Sequence, residues 1–452
     1  MSSKRVRPLL VLLALALGAT GTATTLIHPT NPNNVPNGLD ASADAESTAI
    51  YCTGLSGASG GLEGHVALLN TSGAVRTLSI QVVSNTGQRR TTTMRLGARA
   101  TSNVVPDFKL KGSSYAVAVV VDGGGVVAEE ITQNATGEVP CSTSGVTQWY
   151  GSGFDTLVGS RAALSLYNPT ATPAVLNATF YTSSGIAAPA SFQGFSVAAH
   201  SQAELNLGSQ IVNASNVGVA ISVVRGSLDV VGVQKSGDVV SLDPGSTVAA
   251  GESWFPRVTT VGHSVVQLRI ANPNSQPATV TLTIDLSPFR VAPQTVTVPA
   301  YSSSDVAITP NSAIPEAGYA SVHVNSSAPV ISSLATGTSA GLRLSPAGSP
   351  TDRYLVADFA GTGFNSATIT NTLSRTVGVT FTTVASSGTP SVTVTGTLAG
   401  DTTRPIAGFF HPVISLRATA ILVSATKPNV LVTLTLPSRP RGVVVVAPLN
   451  GG

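Results

Sequence analysis

The chain has 452 residues, of which 42% are apolar, 10% are charged and 5% are aromatic. This length is too great for one ordinary hydrophobic core and predicts roughly three or four domains. So few charges, together with many Gly, Ser and Thr residues, favour β-sandwiches over helical domains, whose surfaces need more Lys and Glu. The net charge of +3 is small and the basic residues are scattered, which excludes electrostatic binding of nucleic acid.

The N-terminus has the layout of an export signal. Three basic residues precede an uncharged segment that runs from Pro8 to Ile27, and a positive start before an apolar stretch is typical of such signals. The strongly apolar part is short, as in a cleaved signal peptide, but the whole segment would just cross a bilayer core of about 30 Å. Residues 1–27 are therefore predicted to be a signal peptide or a membrane anchor, followed by a flexible linker over residues 28–47. Either alternative places the rest of the chain outside the cytoplasm.

Only two cysteines are present, Cys52 and Cys141. In an exported chain, an isolated pair predicts a disulfide rather than a metal or redox site. The bond would close a loop of about ninety residues and add about 4 kcal/mol of stability in the chain-entropy model. We expect it to hold the first domain together.

Four asparagines mark an internal repeat of about one hundred residues. Positions four and two before each asparagine, and eight, ten and twelve after it, are apolar in nineteen of twenty cases, and the intervening positions nine and eleven are polar. A period of two on both sides of a turn predicts two half-buried antiparallel strands. We interpret each asparagine as a structural turn residue whose carboxamide bonds the backbone of its own loop. These residues are Asn70, Asn168, Asn272 and Asn371.

Each repeat holds about seven short strands, which predicts an all-β chain of four tandem immunoglobulin-like β-sandwiches after the N-terminal hydrophobic segment. We expect each unit to close on a hairpin. The alternative is that neighbouring units exchange or share strands. The expected hairpin turns lie near Asp122, Arg225, Asn325 and Ala425. The predicted units span residues 48–141, 142–246, 247–348 and 349–440, and residues 441–452 are predicted to be a C-terminal tail.

Aromatic residues mark the start of each repeat, and their position favours packing at the junctions between domains. They are Tyr51, Trp149, Tyr150, Trp254, Phe255 and Tyr354. The alternative is an exposed platform, because a flat aromatic face can cover the apolar side of a sugar ring. The glycan contacts predicted on this alternative are Trp149, Tyr150, Trp254 and Phe255.

Catalytic and metal-binding patterns are nearly absent. Residues 57–61 match the G-x-S-x-G pattern around Ser59, but no strand-to-helix turn is predicted there, so we interpret the match as chance. The six histidines lack zinc-ligand spacing, and acidic residues are too sparse for a calcium loop. Glu129 and Glu130 point to opposite faces of a strand and cannot act as a paired acid and base. We therefore predict no enzyme activity, catalytic residue, cofactor or metal site.

Three features together resemble a family of exported actinobacterial proteins known only as a domain of unknown function. They are the basic and apolar N-terminus, the Tyr51-Cys52 and Cys141 bracket, and the W-F/Y, N-P, A outline at Trp149–Ala174 and again at Trp254–Ala278. The resemblance covers nearly the whole chain. It implies an envelope location and repeated β-domains, and it brings no activity, cofactor or catalytic residue.

The sequence thus predicts a non-enzymatic, extracytoplasmic protein of the cell envelope. Its repeated β-domains would form a structural, scaffold or adhesive spacer, and the alternative is a cell-wall glycan-binding module that uses the junction aromatics. The expected partners are cell-wall glycan or another envelope protein. Contact with a membrane would occur only through the N-terminal segment.

Overall fold

The fold is seen in a computed structural model of the chain. β-Strands dominate the described residues, which contain no α-helix and three single-turn 3₁₀ helices, at Ala190–Phe192, Leu207–Ser209 and Ile406–Phe409. The all-β prediction is confirmed. The structure describes residues 47–56, 64–105, 109–132, 137–258, 265–285, 291–308, 320–338, 341–348, 350–357, 367–385, 392–410, 418–435 and 443–445.

The predicted signal peptide or anchor, residues 1–27, lies outside the described residues, as does nearly all of the linker predicted over 28–47. Among the residues that are described, no helix has the length and apolar character needed to cross a membrane.

The first sandwich encloses a core of Ile, Leu and Val side chains between two four-stranded antiparallel sheets. Its sheet orders are β1-β6-β3-β4 and β5-β2-β7-β8. Alternate residues of each strand face this core, as the period-two pattern predicts. The strands are β1 Ser47–Ser56, β2 Gly64–Asn70, β3 Arg76–Ser84, β4 Arg89–Leu96, β5 Thr101–Val104, β6 Ser114–Asp122, β7 Val126–Thr132 and β8 Glu138–Pro140.

The second sandwich repeats this topology, with one additional short strand. Its sheet orders are β12-β11-β15-β9, with β13 also paired to β11, and β14-β10-β16-β17. The strands are β9 Gln148–Phe154, β10 Ser160–Tyr167, β11 Ala174–Thr182, β12 Gly185–Ala187, β13 Phe195–Val197, β14 Gln202–Asn206, β15 Val217–Arg225, β16 Asp229–Ser236 and β17 Val239–Asp243.

The third sandwich differs in having one long strand, β23, that belongs to both layers. Its first half pairs with β18 and β20, and its second half pairs with β19 and β24. A single seven-stranded sheet therefore folds over both sides of the core. The strands are β18 Ala250–Val258, β19 Val265–Asn272, β20 Ala278–Asp285, β21 Gln294–Val298, β22 Ser302–Ala307, β23 Ala320–Thr338 and β24 Gly341–Pro346.

The fourth sandwich has sheet orders β25-β30-β27-β28 and β29-β26-β31-β32. Its last strand lies in the segment predicted as a tail, residues 441–452, yet it pairs with β31. The strands are β25 Arg353–Ala357, β26 Ala367–Asn371, β27 Val377–Ala385, β28 Thr393–Leu398, β29 Thr403–Pro405, β30 Ala418–Ala425, β31 Val430–Thr435 and β32 Val443–Val445.

In three units the expected closing hairpin is instead a crossing between sheets, and near Asn325 the chain continues without a turn as β23, so this part of the prediction was wrong. β6 and β7 lie in opposite sheets of the first sandwich, and the same holds for β15 and β16 and for β30 and β31. The reason is that the apolar residues on both sides of the turn point into one core, so the chain passes over the core's edge. Gly123 and Gly125, both at positive φ, allow the sharp crossing in the first sandwich.

The strand order also differs from that of an immunoglobulin domain, in which the first strand shares a sheet with the second. Here the first strand pairs with the sixth, and the second strand pairs with the fifth and seventh. Among the described strands, every sheet takes its members from one sandwich, so the alternative of strand exchange is not seen there.

The predicted disulfide is present. Cys52 on β1 and Cys141, just after β8, are bonded and buried in the first core. The bond links the two ends of the first sandwich, at a sequence separation of 89 residues.

The four turn asparagines share one arrangement of hydrogen bonds. Asn168 Nδ2 donates to the carbonyl of Thr172 in its own loop at 2.8 Å, and to those of Val197 and Ala198 in a second loop at 3.0 and 3.1 Å. Its Oδ1 accepts from Thr170 N at 2.9 Å. The equivalent donors and acceptors surround Asn70, Asn272 and Asn371, and all four side chains are fully buried.

The second loop at each turn contains a residue in the left-handed conformation, which a side chain other than glycine rarely adopts. In each case its N–H donates to a carbonyl in the asparagine's own loop, such as His200 N to Thr170 O. Each asparagine therefore joins two loops at the end of its sandwich. The left-handed residues are Arg99, His200, Tyr301 and Asp401, with φ near 50°.

Candidate functional site

The aromatic residues predicted as glycan contacts divide into buried and accessible ones. Trp149 is fully buried, and its Nε1 donates to Pro244 O at 2.8 Å. Phe255 lies in the third core and is only 2% exposed. Neither ring has a free face for a sugar, so the structure removes these two residues from the predicted glycan platform.

Tyr150 and Trp254 remain partly accessible, on the first strands of the second and third sandwiches. The Trp254 ring stacks on His323, with centroids 3.9 Å apart and planes within 10°. Glu252 connects the pair, since its Oε1 accepts from Trp254 Nε1 at 3.2 Å and lies 2.8 Å from His323 Nε2. One face of Trp254 is therefore covered by the protein itself.

A small cavity lies beside these residues, between the second and third sandwiches. Its volume is about 60 Å³, and Tyr150, Ser152, Asp243, Glu252 and Ser332 line it. The buried hydroxyls of both serines have no hydrogen-bond partner among the described residues. Burial raises the pKa of Asp243 to about 7, and a hydrogen bond from Gly245 N opposes this shift. The cavity thus offers two hydroxyls and a carboxyl to a small polar group.

The junction between the first and second sandwiches holds a buried carboxyl from the second one. Ser142 Oγ donates to Asp229 Oδ1 at 2.6 Å, and Thr53 Oγ1 donates to Oδ2. Burial raises the pKa of Asp229 to about 6, and the two hydroxyl hydrogen bonds reduce the shift. Both carboxyl oxygens are therefore occupied by hydroxyls of the protein.

Glu130 lies close to this group. Its Oε2 accepts from Gly54 N at 2.8 Å, whereas Oε1 is buried without a hydrogen-bond partner in the described part of the chain. Burial, together with a smaller contribution from the nearby Asp229 carboxylate, raises the pKa of Glu130 to about 8, and the hydrogen bond from Gly54 N opposes this shift. A Cβ atom at residue 54 would lie 2.6 Å from Glu130 Oε1, so any larger residue there would displace this carboxyl.

Further buried hydrogen bonds cross both of the first two junctions. At the first, Ser165 Oγ donates to Thr53 O, and Gln202 Nε2 donates to Ser114 Oγ at 3.1 Å. At the second, the bonds join the backbone of one sandwich to side chains of the other. They are Arg269 Nη1 to Gly153 O at 2.7 Å, Ser333 Oγ to Ser152 O at 2.9 Å, Ser303 Oγ to Asn216 O at 2.7 Å and Leu344 N to Ser241 Oγ at 2.9 Å.

The linkers between sandwiches lie against the junction aromatics. Tyr51 forms a backbone bridge with Ser142, Tyr150 forms one with Ser246, and Trp254 forms one with Gly348. At the start of the first three repeats, Tyr51, Tyr150 and Trp254 therefore lie beside the junctions. Tyr354 lies in the fourth core, where its hydroxyl donates to Val430 O at 2.9 Å.

Sequence reasoning missed the buried acidic residues at the junctions. Asp229 begins the apolar strand β16, and Asp243 ends the apolar strand β17. An acidic residue beside an apolar run was the sequence signal that could have revealed them. Their partners are far apart in sequence, so the pairing itself had no local signature. Ser59 lies outside the described residues, and those that are described hold no cluster of three or more His, Cys, Asp or Glu suited to a metal ion.

One family model matches the chain. Its description is Family of unknown function (DUF5719), and it covers residues 134–407. Among curated proteins, none matches the sequence significantly.

Three solved structures show distant likenesses. The chain is 18% identical to Thermotoga maritima 1070 with a TM-score of 0.21, covering 22% of this chain and 94% of that one. It is 10% identical to Streptomyces avermitilis alpha-L-rhamnosidase, complexed with L-rhamnose, with a TM-score of 0.15, covering 73% and 45%. It is 12% identical to a tetra-tandem repeat in the extending region of a large adhesion protein, with a TM-score of 0.11, covering 91% and 98%. Likenesses at these TM-scores define neither fold nor role.

We predict that Asp229→Asn changes the pH dependence of stability. Burial in the folded chain raises the pKa of Asp229 to about 6. The folded state therefore gains stability from the neutral carboxyl, which is fully present below about pH 4 and is lost as the pH rises through about 6. The wild type should lose up to about 3 kcal/mol from this group across that window, and the variant should lack that loss. Urea unfolding between pH 4 and pH 8 measures the difference.

Asp238→Asn is the matched control, because Asp238 is an exposed carboxyl on the same sandwich. Its pH profile should run parallel to that of the wild type. Parallel profiles for all three proteins would contradict the interpretation of Asp229 as a buried, proton-binding group at the junction.

Proposed function

The chain belongs to a family of unknown function, and from that premise we propose that it is a non-enzymatic, extracytoplasmic scaffold of the cell envelope. This role would depend on the β-sandwiches themselves and on the fixed orientation of each sandwich relative to the next. The adhesive role and the spacer role expected from the sequence are variants of this proposal.

The observation that carries the proposal is the set of buried hydrogen bonds across the junctions. Asp229 reaches from the second sandwich to Thr53 of the first, and Arg269 reaches from the third to Gly153 of the second. Buried groups of this kind stabilise one relative orientation, because separating them leaves polar atoms unpaired in an apolar setting. Consecutive sandwiches joined in this way suit a load-carrying or positioning role.

Two features support a location outside the cytoplasm. The Cys52–Cys141 disulfide is buried and joins the ends of the first sandwich, and such bonds persist in oxidising compartments. The sequence of residues 1–27 has the layout of an export signal.

The hydrogen bonding of the buried polar groups at the first junction favours a non-catalytic role. Both oxygens of Asp229 accept hydrogen bonds from hydroxyls, and Ser142 and Thr53 are thereby engaged as donors. A general acid or base needs an oxygen that can reach a substrate. We infer that these groups hold the junction together.

Fractionation of cells that express the native protein tests the location. We expect the chain in the envelope or secreted fraction, with Cys52 and Cys141 protected from alkylation until a reductant is added. N-terminal sequencing then distinguishes a cleaved signal, with a mature start near Thr24, from an anchor with Met1 intact. A cytosolic chain whose cysteines react without reduction would contradict the proposal.

Glycan binding is the second candidate, and the cavity between the second and third sandwiches favours it. Tyr150 and Glu252 line the cavity, Trp254 lies beside it, and two buried serine hydroxyls there lack partners among the described residues. Hydroxyl groups and an aromatic edge are suited to a sugar hydroxymethyl or amino group.

Retention on purified cell-wall material tests this second candidate. Wild-type protein should be retained, and the Tyr150→Ala, Trp254→Ala double variant should pass through without retention. The control variant Val158→Ala alters a 99% exposed side chain away from the cavity and should be retained as the wild type is. Equal retention of all three proteins, or none, would exclude glycan binding at this cavity.

A further inference from the structure

Two residues recur at the turn end of each sandwich and form what we call the docking pair. The first residue immediately precedes the turn asparagine. The second is paired with it across the sheet and lies on β7, β16, the second half of β23 or β31, where the chain has just crossed from the other sheet. The pairs are Leu69 and Val127, Tyr167 and Asp229, Ala271 and Ile331, and Thr370 and Leu431.

At the first junction, the docking pair of the second sandwich seats on the outer face of a sheet of the first. Tyr167 packs against Val83, Ala116 and Ala118, with the Tyr51 ring 5.8 Å away. Its partner Asp229 bonds Thr53, as described above. The receiving face is therefore made by β1, β3 and β6.

The second junction uses the corresponding surfaces. Ala271 and Ile331 of the third sandwich pack against Tyr150, Tyr181 and Ala220 of the second. Ala220 stands opposite Tyr150 in the sheet, as Ala118 stands opposite Tyr51. The receiving face is again built from the first, third and sixth strands of the core topology.

The third junction has the same order. β18 of the third sandwich lies against β31, the strand that carries Leu431. His323 stands opposite Trp254 in the receiving sheet. Burial lowers the pKa of His323, and the negative charge of Asp401 in the fourth sandwich opposes this shift.

The fourth contact joins the two ends of the chain. Leu69 and Val127, the docking pair of the first sandwich, pack against Leu355, Ala357 and Ala420 of the fourth. Ala357 and Ala420 stand opposite each other on β25 and β30, the strands that correspond to β1 and β6. The first sandwich thus seats on the fourth as each later sandwich seats on its predecessor, and the chain closes head to tail.

The contact between the first and fourth sandwiches, the closing contact, differs from the first two junctions in its sequence separation and in the kind of interaction that forms it. Those junctions join sandwiches that are adjacent in the chain, and buried hydrogen bonds reinforce them. The closing contact joins sandwiches more than two hundred residues apart in sequence and is an apolar cluster of Leu, Val and Ala side chains. A head-to-tail surface of this kind fits a second copy of the chain as well as its own end.

We propose that this contact exchanges between copies, so that the docking pair Leu69 and Val127 of one chain seats on the fourth sandwich of another. At low concentration the contact within one chain wins, because its effective concentration is high. Crowding of many copies favours the contact between chains and gives head-to-tail assembly. This names a partner for the proposed scaffold, but its test uses purified protein and is independent of location.

Light scattering coupled to size-exclusion chromatography tests the exchange over a concentration series of the full mature chain. We expect monomers when dilute and a ladder of oligomers when the protein is concentrated or is cooled after brief warming. Leu69→Asp should abolish the ladder, whereas Val75→Asp, which alters a 51% exposed valine of the same sandwich, should keep it. A wild-type chain that stays monomeric at every concentration, or a Leu69→Asp ladder equal to that of the wild type, would overturn the proposal.

A mixing experiment identifies the partner surface even if one variant is less stable. Leu69→Asp and Leu355→Arg each place a charge in the closing contact, so each protein alone should be an open monomer. When the two are mixed, the aspartate of one chain meets the arginine of the other, and joined chains should form. A mixture that remains monomeric while both proteins are folded would show that the contact does not form between chains.

Discussion

A buried carboxamide with its hydrogen bonds satisfied is the constraint on which the rest of this structure depends. Each turn asparagine donates to carbonyls in two loops and accepts from its own loop, as Asn272 does with Gln276, Val298 and Asn274. An amide side chain has the two donors and the acceptor that such a junction of loops requires. It also holds the second loop in a conformation that includes a left-handed residue, such as Tyr301.

The contacts between sandwiches follow from this turn. Because side chains alternate along a strand, the residue before an inward-facing asparagine must face outward, at the end of its sheet. Tyr167, Ala271 and Leu69 occupy this position, and each packs against the sheet of another sandwich. One local rule about the direction of a side chain therefore sets both the core and the junctions, and the buried carboxyl of Asp229 adds specificity at one of them.

The sequence predicted those features whose causes are local. The period of two around Asn168 predicted the strands and the inward asparagine, and the small number of cysteines predicted the disulfide. The crossing after Asp122 was mistaken for a hairpin, because a tight turn has the same local signals whether its strands pair or face each other across a core. The burial of Trp149, the bonds to Asp229 and the contact of Leu69 with Leu355 depend on residues distant in sequence, which no local pattern encodes.

The melting temperature of Asn272→Ala tests the central claim most directly, with Thr279→Ala, an exposed strand residue of the same sandwich, as the control. The variant leaves the carbonyls of Gln276, Val298 and Pro299 and the N–H of Asn274 without their partner, which costs about 3 kcal/mol. We expect calorimetry to show a clear fall in melting temperature for Asn272→Ala and little change for Thr279→Ala. A melting temperature for Asn272→Ala equal to that of the control would contradict the account.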